Sequence, residues 1–342
     1  MYYIGVDYHL EVAVACIMGP SGNVLEKISL PATTKGMDML IERMAGKRFK
    51  VLGEAFTYSM DLHNYLVGKG VDSQLANPEG LHLITRSYKK TDENDCEAIA
   101  WYLRLHSRGE IDLPMSYIVK DEEMRLRDLC RLRNDMSNAR GSTSQRISAH
   151  MRRNGEYLPA DRFGADPDIS AKKVQKHIIE SFQDDFTLQE YLRMYVYYTE
   201  RCAAIDAEMS RFSVDRGSVD LLATIPGIGE TTAVMLMSMI VRVDRFPSAD
   251  AMRSYFGMAP RVRDSGETVK HGHITKRGDP MMRSILNRAV FVHMRWCPES
   301  RVKTMYDSVS ARAPKKVALT AASNKLLDII YSVLSTGTRF HA

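Results

Sequence analysis

Four carboxylates and one alcohol are the residues of this chain that could do chemistry together. Asp7 closes the apolar run that begins at Tyr2, Glu54 closes the run from Phe49, and Asp92 and Asp95 stand three apart in a helical stretch, on one face. Hard oxygen donors in that number suit Mg2+ (or Mn2+), which can polarise a phosphodiester and stabilise its leaving oxygen. Without a cation, four carboxylates in one place repel each other. Singly, each acid has an ordinary reading: Asp7 as a turn residue, Asp92 as a helix cap, Asp95 as an exposed acid. Glu54 is harder to account for, because it follows the buried-looking Val51-Leu52-Gly53, where an unpaired charge is costly. The alcohol is Ser265, whose neighbour Gly266 leaves it little steric cover and a backbone free to take positive φ, as a nucleophile needs. Its stretch, Gly257 to Asp279, is rich in glycine and carries Arg261, Arg263, Lys270, Lys276 and Arg277, so it reads as a structured loop that meets phosphates. The ordinary reading is a polar hairpin turn whose Ser-Gly is turn chemistry. His271 and His273 in the same stretch are proton carriers, metal ligands or merely solvated side chains.

The acids need a scaffold, and the first 110 residues supply one. Tyr2 to Asp7, Val12 to Met18 and Val24 to Leu30 are short β-favouring runs, the last two separated by the turn Gly19-Pro-Ser-Gly-Asn23. Then come a helix over Met37 to Met44, a buried strand over Phe49 to Glu54, a helix over Ser59 to Val67 and a strand over Asp72 to Ala76. Asn77-Pro78-Glu79 is a helix start, and Asp92 to Arg104 a closing helix. That order predicts a mixed α/β sheet of the ribonuclease-H type. In such a sheet the first and fourth strands are neighbours and the closing helix crosses their ends, so the four acids would converge.

Strand signals stop between Ile118 and Asp220. Leu129, Leu132, Met136, Ala139 and Thr143 step by three and four, as do Leu188, Leu192, Tyr195, Thr199 and Cys202. Each is an a/d seam, so two long helices should pair within the chain or between subunits, joined through Asn154 to Ser170. Arg125, Arg127, Arg131, Arg133, Arg140 and Arg146 lie outside the first seam, as a solvated face or a nucleic-acid contact. Further on, Ile225-Pro-Gly-Ile-Gly229 followed by Glu230-Thr-Thr-Ala233 has the form of a helix-hairpin-helix turn. There Gly227 and Gly229 would let free N–H groups approach a DNA phosphate; the ordinary reading is an αα-hairpin in a core. The predicted domains are therefore 1–110, 111–217 and 218–342.

A hydrophobic fraction of 44% in 342 residues argues for globular structure and against disorder. The net charge of +5 is small but uneven: Glu156 to Asp220 is acid-rich and Arg261 to Arg295 is basic, as a polyanion partner would favour. Cys16, Cys96, Cys130, Cys202 and Cys297 lack zinc-site spacing and read as reduced thiols. The N-terminus has no signal-peptide pattern, and the most apolar run, Ala233 to Val243, is too short and broken by Arg242, so a cytoplasmic protein without a membrane partner is expected.

Several blocks together carry a resemblance. Ile4-Gly-Val-Asp7, Gly53-Glu-Ala-Phe-Thr-Tyr58, Lys90-Thr-Asp92-Glu-Asn-Asp95, Ile225-Pro-Gly-Ile-Gly229, Ala259-Pro260, Ser265-Gly266 and Ile274-Thr-Lys-Arg-Gly-Asp279 follow one another. In that order they closely resemble the DEDD transposases of the bacterial IS110 insertion-sequence family, relatives of the Piv DNA invertases. The resemblance covers nearly the whole chain. It implies an N-terminal RuvC-like domain, a helical coiled-coil middle and a mostly α C-terminal transposase domain. It also implies that Asp7, Glu54, Asp92 and Asp95 are the catalytic metal-binding set and Ser265 the nucleophile. The implied activity is recombination of double-stranded donor and target DNA, guided by a structured non-coding bridge RNA, by a homo-tetramer built from dimers in the bacterial nucleoid. Cys96 stands where the family commonly has Ala, and Phe56 where a small residue is usual. The alternative is a RuvC-like junction-resolving nuclease using the same acids with water. An ATPase of the sugar-kinase or actin type also begins with Ile-Gly-Val-Asp, but no later phosphate motif follows. A non-catalytic nucleic-acid scaffold would leave the acids unexplained.

Overall fold

The computed structural model describes residues 1–342 apart from 79, 80, 82–91, 114, 165, 166, 266, 267, 277 and 342, with backbone only for 57, 92–94, 261–265 and 268–273. The chain divides into two compact units, Met1–Val119 and Lys120–Ala342.

In the first unit, β1 (Tyr2–Tyr8), β2 (Val12–Met18) and β3 (Val24–Pro31) form an antiparallel meander. It is followed by α1 (Thr34–Arg43), β4 (Phe49–Glu54), α2 (Thr57–Gly68), β5 (Asp72–Ala76) and α3 (Asp92–Ser107). The sheet order is β3-β2-β1-β4-β5, with β1 parallel to β4 and β4 parallel to β5. This is the mixed five-stranded arrangement that the strand order predicts. α1 begins three residues before the predicted Met37, because Thr33 caps it by accepting from the Gly36 N–H. Of the predicted helix start Asn77-Pro78-Glu79, Glu79 lies outside the described residues.

Alternation along β1 sorts its side chains between two cores. Ile4, Val6 and Tyr8 pack with Met37 and Leu40 of α1 and Leu62 and Leu66 of α2. Tyr3, on the other face, packs with Leu52 and with Cys96, Ile99 and Leu103 of α3. Gly5 permits that second packing. A Cβ there would stand 2.2 Å from the Cys96 carbonyl oxygen and 2.3 Å from the Ala100 nitrogen, so α3 lies directly on the strand backbone.

The second unit contains α4 (Asp121–Arg153), α5 (Ala160–Phe163), α6 (Lys172–Ser181), α7 (Phe186–Met209), α8 (Arg216–Ala223), α9 (Glu230–Ile240) and α10 (Ala249–Tyr255). A hairpin of β6 (Pro260–Ser265) and β7 (Thr268–Ile274) follows, then α11 (Pro280–Trp296), α12 (Arg301–Ser310) and α13 (Lys315–Thr336). The long helices α4 and α7 pair within the chain, antiparallel, since Arg133 bonds Asp206 and His150 bonds Asp185. On α7 four residues of the predicted line, Leu188, Leu192, Tyr195 and Cys202, are buried, and the fifth, Thr199, is half-buried. On α4 the predicted line does not hold. Leu132 is exposed, and the buried residues are Leu126, Arg127, Cys130, Asn134, Thr143, Ile147, His150 and Met151. The physical reason is a change of partner along the helix: Leu126 and Cys130 enter the core built by α8, α9, α11 and α13, whereas Ile147 and Met151 meet α6 and α7. The connection is also longer than Asn154 to Ser170, because α6 contributes Val174 and Ile178 to the same small core. α13 is long and apolar enough by length and composition to cross a bilayer. Here its Ala318, Ala322, Leu326, Leu327 and Ile330 are fully buried in protein.

Candidate active site

β1 and β4 run side by side with Val6 opposite Gly53, so the next residues, Asp7 and Glu54, fall at neighbouring strand ends on one face of the sheet. It is the face that α3 covers over Gly5, two residues before Asp7. Asp7 is buried, and its Oδ2 lies 3.2 Å from Nε2 of the half-exposed His9. His9 is absent from the sequence reading. Its signal is the two-residue spacing from Asp7, which on an extended chain returns a side chain to the same face.

Gly53 is fixed by the ring of Tyr8: a Cβ at 53 would stand 2.3 Å from Tyr8 Cε2. The Tyr8 hydroxyl is buried without a hydrogen-bond partner among the described residues, and burial raises its pKa far above that of an ordinary phenol. After Glu54 the chain is held by Ala55 N–H donating to Ala76 O and by Phe56 N–H donating to Ser59 Oγ, at 2.9 and 2.8 Å. Phe56 itself is exposed.

Asp95 is half-buried on α3 beside Cys96, which is fully buried. The Cys96 thiol is held well above its usual range by its hydrogen bond with the free thiol of Cys16, by burial, and to a lesser degree by the Asp7 charge. Asp92 begins α3; its side chain lies outside the described residues. Carboxylates at adjacent strand ends, with a further acid on the covering helix, are a donor set that a hard divalent cation fits.

Ser265 belongs to the second unit. The stretch read as a loop is an antiparallel hairpin, with Ser265 at the end of β6 opposite Thr268. Charged residues and glycines obscured its β-character. The side chains of Ser265, Arg261, Arg263, Lys270, His271 and His273 lie outside the described residues, as do Gly266 and Arg277 entirely. The base of the hairpin is well anchored. Thr275 N–H donates to Ala259 O, Lys276 N–H to Gly257 O and Asn324 Nδ2 to Met258 O, each at 3.0 Å. Exposed Lys276 sits at φ +58°, and a Cβ at Gly278 would meet the Phe256 carbonyl carbon at 2.3 Å. Asp279 caps α11 and receives Arg131 at 3.1 Å.

At the turn from Ile225 to Gly229, Gly227 has φ +93°, and a Cβ would stand 2.4 Å from the Ala289 carbonyl oxygen of α11. Its glycine is thus required by packing. Gly229, the N-cap of α9, faces open space. His293 is fully buried beneath this turn; its Nδ1–H donates to Pro226 O at 2.9 Å, and burial lowers its pKa. The Phe340 ring packs edge-on against it, while Phe340 N–H donates to Thr224 Oγ1. Nothing in the sequence marks His293, since a lone histidine in an apolar helix carries no motif.

The arginine face of α4 needs correction. Arg127 is buried, donating from Nε to Ser238 O at 2.9 Å; Arg133 grips Asp206 through two bonds; Arg131 holds Asp279. These three tie the unit together. Arg125 and Arg146 are exposed and Arg140 half-buried.

A mixed five-stranded sheet with acids at its central strand ends, followed by a largely helical unit, fits the class of ribonuclease-H-like DEDD transposases. The family model for DEDD transposases of IS110 matches residues 4–154, and that described as transposase IS116/IS110/IS902 family matches 219–307. The chain belongs to the IS110 family of insertion-sequence transposases. It is 26% identical over 144 residues to an uncharacterised insertion element IS110 protein of Streptomyces coelicolor, covering 42% of this chain and only 35% of that relative's own length. It is 24% identical over 280 residues, 79% of this chain and 73% of the relative, to the transposase for IS1111A of Coxiella burnetii. Over 124 residues it is 37% identical to the pilin gene-inverting protein of Moraxella lacunata, covering 35% of this chain and 38% of the relative.

Proposed function

We propose that this chain is the transposase of an IS110-type insertion sequence, cutting and rejoining double-stranded donor and target DNA through a serine-phosphodiester intermediate. The observation that carries the reading is the side-by-side position of Asp7 and Glu54 on the sheet face covered by the helix that bears Asp92 and Asp95. These four residues would hold the metal. When bound, Mg2+ (or Mn2+) would supply Lewis-acid polarisation of the scissile phosphate. Ser265 Oγ attacks phosphorus, the bond to the 3′ oxygen breaks, and the serine proton ends on the freed 3′-hydroxyl. Attack of a 3′-hydroxyl on the phosphoserine reverses the step on a new strand and restores the serine, so joining needs no nucleotide hydrolysis. Arg261, Arg263, Lys270, Lys276, Arg277 and the α9 N-terminus at Gly229 would hold the backbone phosphates.

The same reading includes the bridge RNA as guide, pairing rather than side chains choosing the sequence. It also includes a tetramer built from dimers, in which the α4–α7 pair extends as a coiled coil between subunits. Incubation with a DNA carrying both element ends, followed by denaturing electrophoresis, tests the chemistry. A covalent protein–DNA adduct should form, and Ser265→Ala should abolish both adduct and joining. Undiminished cleavage by Ser265→Ala would instead assign hydrolysis by water. Sequencing of co-purified RNA tests the guide: no RNA mapping beside the gene removes it.

A further inference from the structure

A second group of metal-ligating side chains stands in the helical unit, made of residues to which no DNA chemistry is assigned. His150, in the last turn of α4, Glu156, just past its end, and Asp185, the cap of α7, bring one ligand atom each within 4.8 Å of one another. His150 and Asp185 are largely buried, with Nε2 2.6 Å from Oδ2. Asp185 Oδ1 is held by the Leu188 N–H at 2.9 Å, which leaves Oδ2 for the cluster. The second observation is independent of that pair. Glu156 Oε2 is fully buried and has no hydrogen-bond partner among the described residues. A carboxylate oxygen out of water and without a donor is unfavourable unless a cation answers it. Glu156 also borders a cavity of about 410 Å³, together with Met151 and Arg152.

We propose that His150, Glu156 and Asp185 bind one divalent transition-metal ion, with zinc the best match. One imidazole and two carboxylates, with water completing a tetrahedron, is a zinc set. Mg2+ and Ca2+ prefer all-oxygen shells, and the imidazole selects against them. Binding replaces the Nε2–H···Oδ2 bond by two bonds to the ion, and the Asn154 amide nitrogen, 2.9 Å from Nε2, turns aside. The neutral ring then carries its proton on Nδ1, where exposed Arg153, now 3.4 Å away, turns aside; a proton held by an imidazolium passes to solvent. The ion clamps the end of α4 to the start of α7 across the residue 154–185 connection, fixing the far end of the helical hairpin.

The site is independent of the proposed recombination chemistry, and the experiment separates the two. The full chain carrying Asp7→Asn and Glu54→Gln, in which the N-terminal carboxylates are disabled, is stripped with chelator and titrated with Zn2+ and Co2+. The expected result is one Zn2+ per chain retained against excess Mg2+, a melting temperature that climbs with zinc concentration, and the visible absorption of four-coordinate Co2+. Adding Glu156→Gln or Asp185→Asn should weaken zinc binding by about tenfold or more. Asn caps helices as Asp does, so Asp185→Asn keeps α7 intact, and unchanged far-ultraviolet circular dichroism identifies the loss as that of a ligand. Equal zinc affinity in parent and variants, or no stoichiometric zinc in the parent, overturns the proposal.

Discussion

Single residues at the sheet ends give the sharpest expectations. If Asp7 and Glu54 hold the metal that activates the phosphate, Asp7→Asn and Glu54→Gln each remove several kcal/mol of transition-state stabilisation. DNA joining should fall by roughly 10³ or more while the melting temperature barely moves. Quantitative strand-transfer assays beside thermal denaturation check this, and a variant that is inactive only because it unfolds counts against the assignment. His293 makes a different kind of prediction. Burial lowers its pKa in the folded state, so the unfolded chain takes up a proton, as pH falls below the ordinary histidine value of about 6.5, that the folded chain refuses. Its contribution is therefore fully present above that pH and lost as pH drops through it. His63, also lowered by burial, acts in the same direction. The melting temperature should decline between neutral and mildly acid pH, and His293→Gln should shrink that decline; an identical pH slope in the variant would refute the account.

Among the elements, what a helix touches decides whether its sequence can be read. The sheet is legible because each strand is a short apolar run between turn residues, and a glycine at position 5 is the price of laying α3 on β1. Gly5→Ala should destabilise the first unit by about 1–3 kcal/mol or more, since the added Cβ meets backbone atoms that cannot rotate away. Gly141→Ala, inside α4 with open space around it, should stabilise by about 0.5–1 kcal/mol. Urea unfolding of both variants tests the contrast. α4 departs from its predicted seam for a physical reason. One helix serves two cores, so no single periodic line describes it, and Arg127 is buried although its residue type argues for exposure. Arg127→Ala should cost about 1–3 kcal/mol by stranding the Ser238 carbonyl that ends α9. Arg125→Ala and Arg146→Ala should leave stability alone and weaken DNA or RNA binding only. Of the candidate site, the order Asp, Glu, Asp, Asp was legible as motif and strand end. His9 was not, because a histidine beyond a strand end has no pattern of its own.

At the scale of the whole molecule, the acids and the serine lie in different units of one chain, so an active site that needs both can be completed within a chain or across two. The tetrameric reading expects the second. A helical hairpin that pairs subunits can deliver the serine of one to the acids of its neighbour, and no strand then breaks before the assembly is complete. The consequence is measurable by mixing. Glu54→Gln and Ser265→Ala chains, each inactive alone, should regain activity when co-assembled, since about a quarter of trans sites in a random equal mixture combine an intact acid set with an intact serine. If the site is completed in cis, every chain carries a broken site and co-assembly recovers nothing. Binding by the mixture, measured between low and moderate salt, should still follow a log–log slope near −0.9 per duplex phosphate contacted. Rescue of joining with an unchanged salt slope therefore reports restored chemistry and not tighter binding. Failure of rescue in oligomers shown by mass spectrometry to contain both chains would rule out trans delivery.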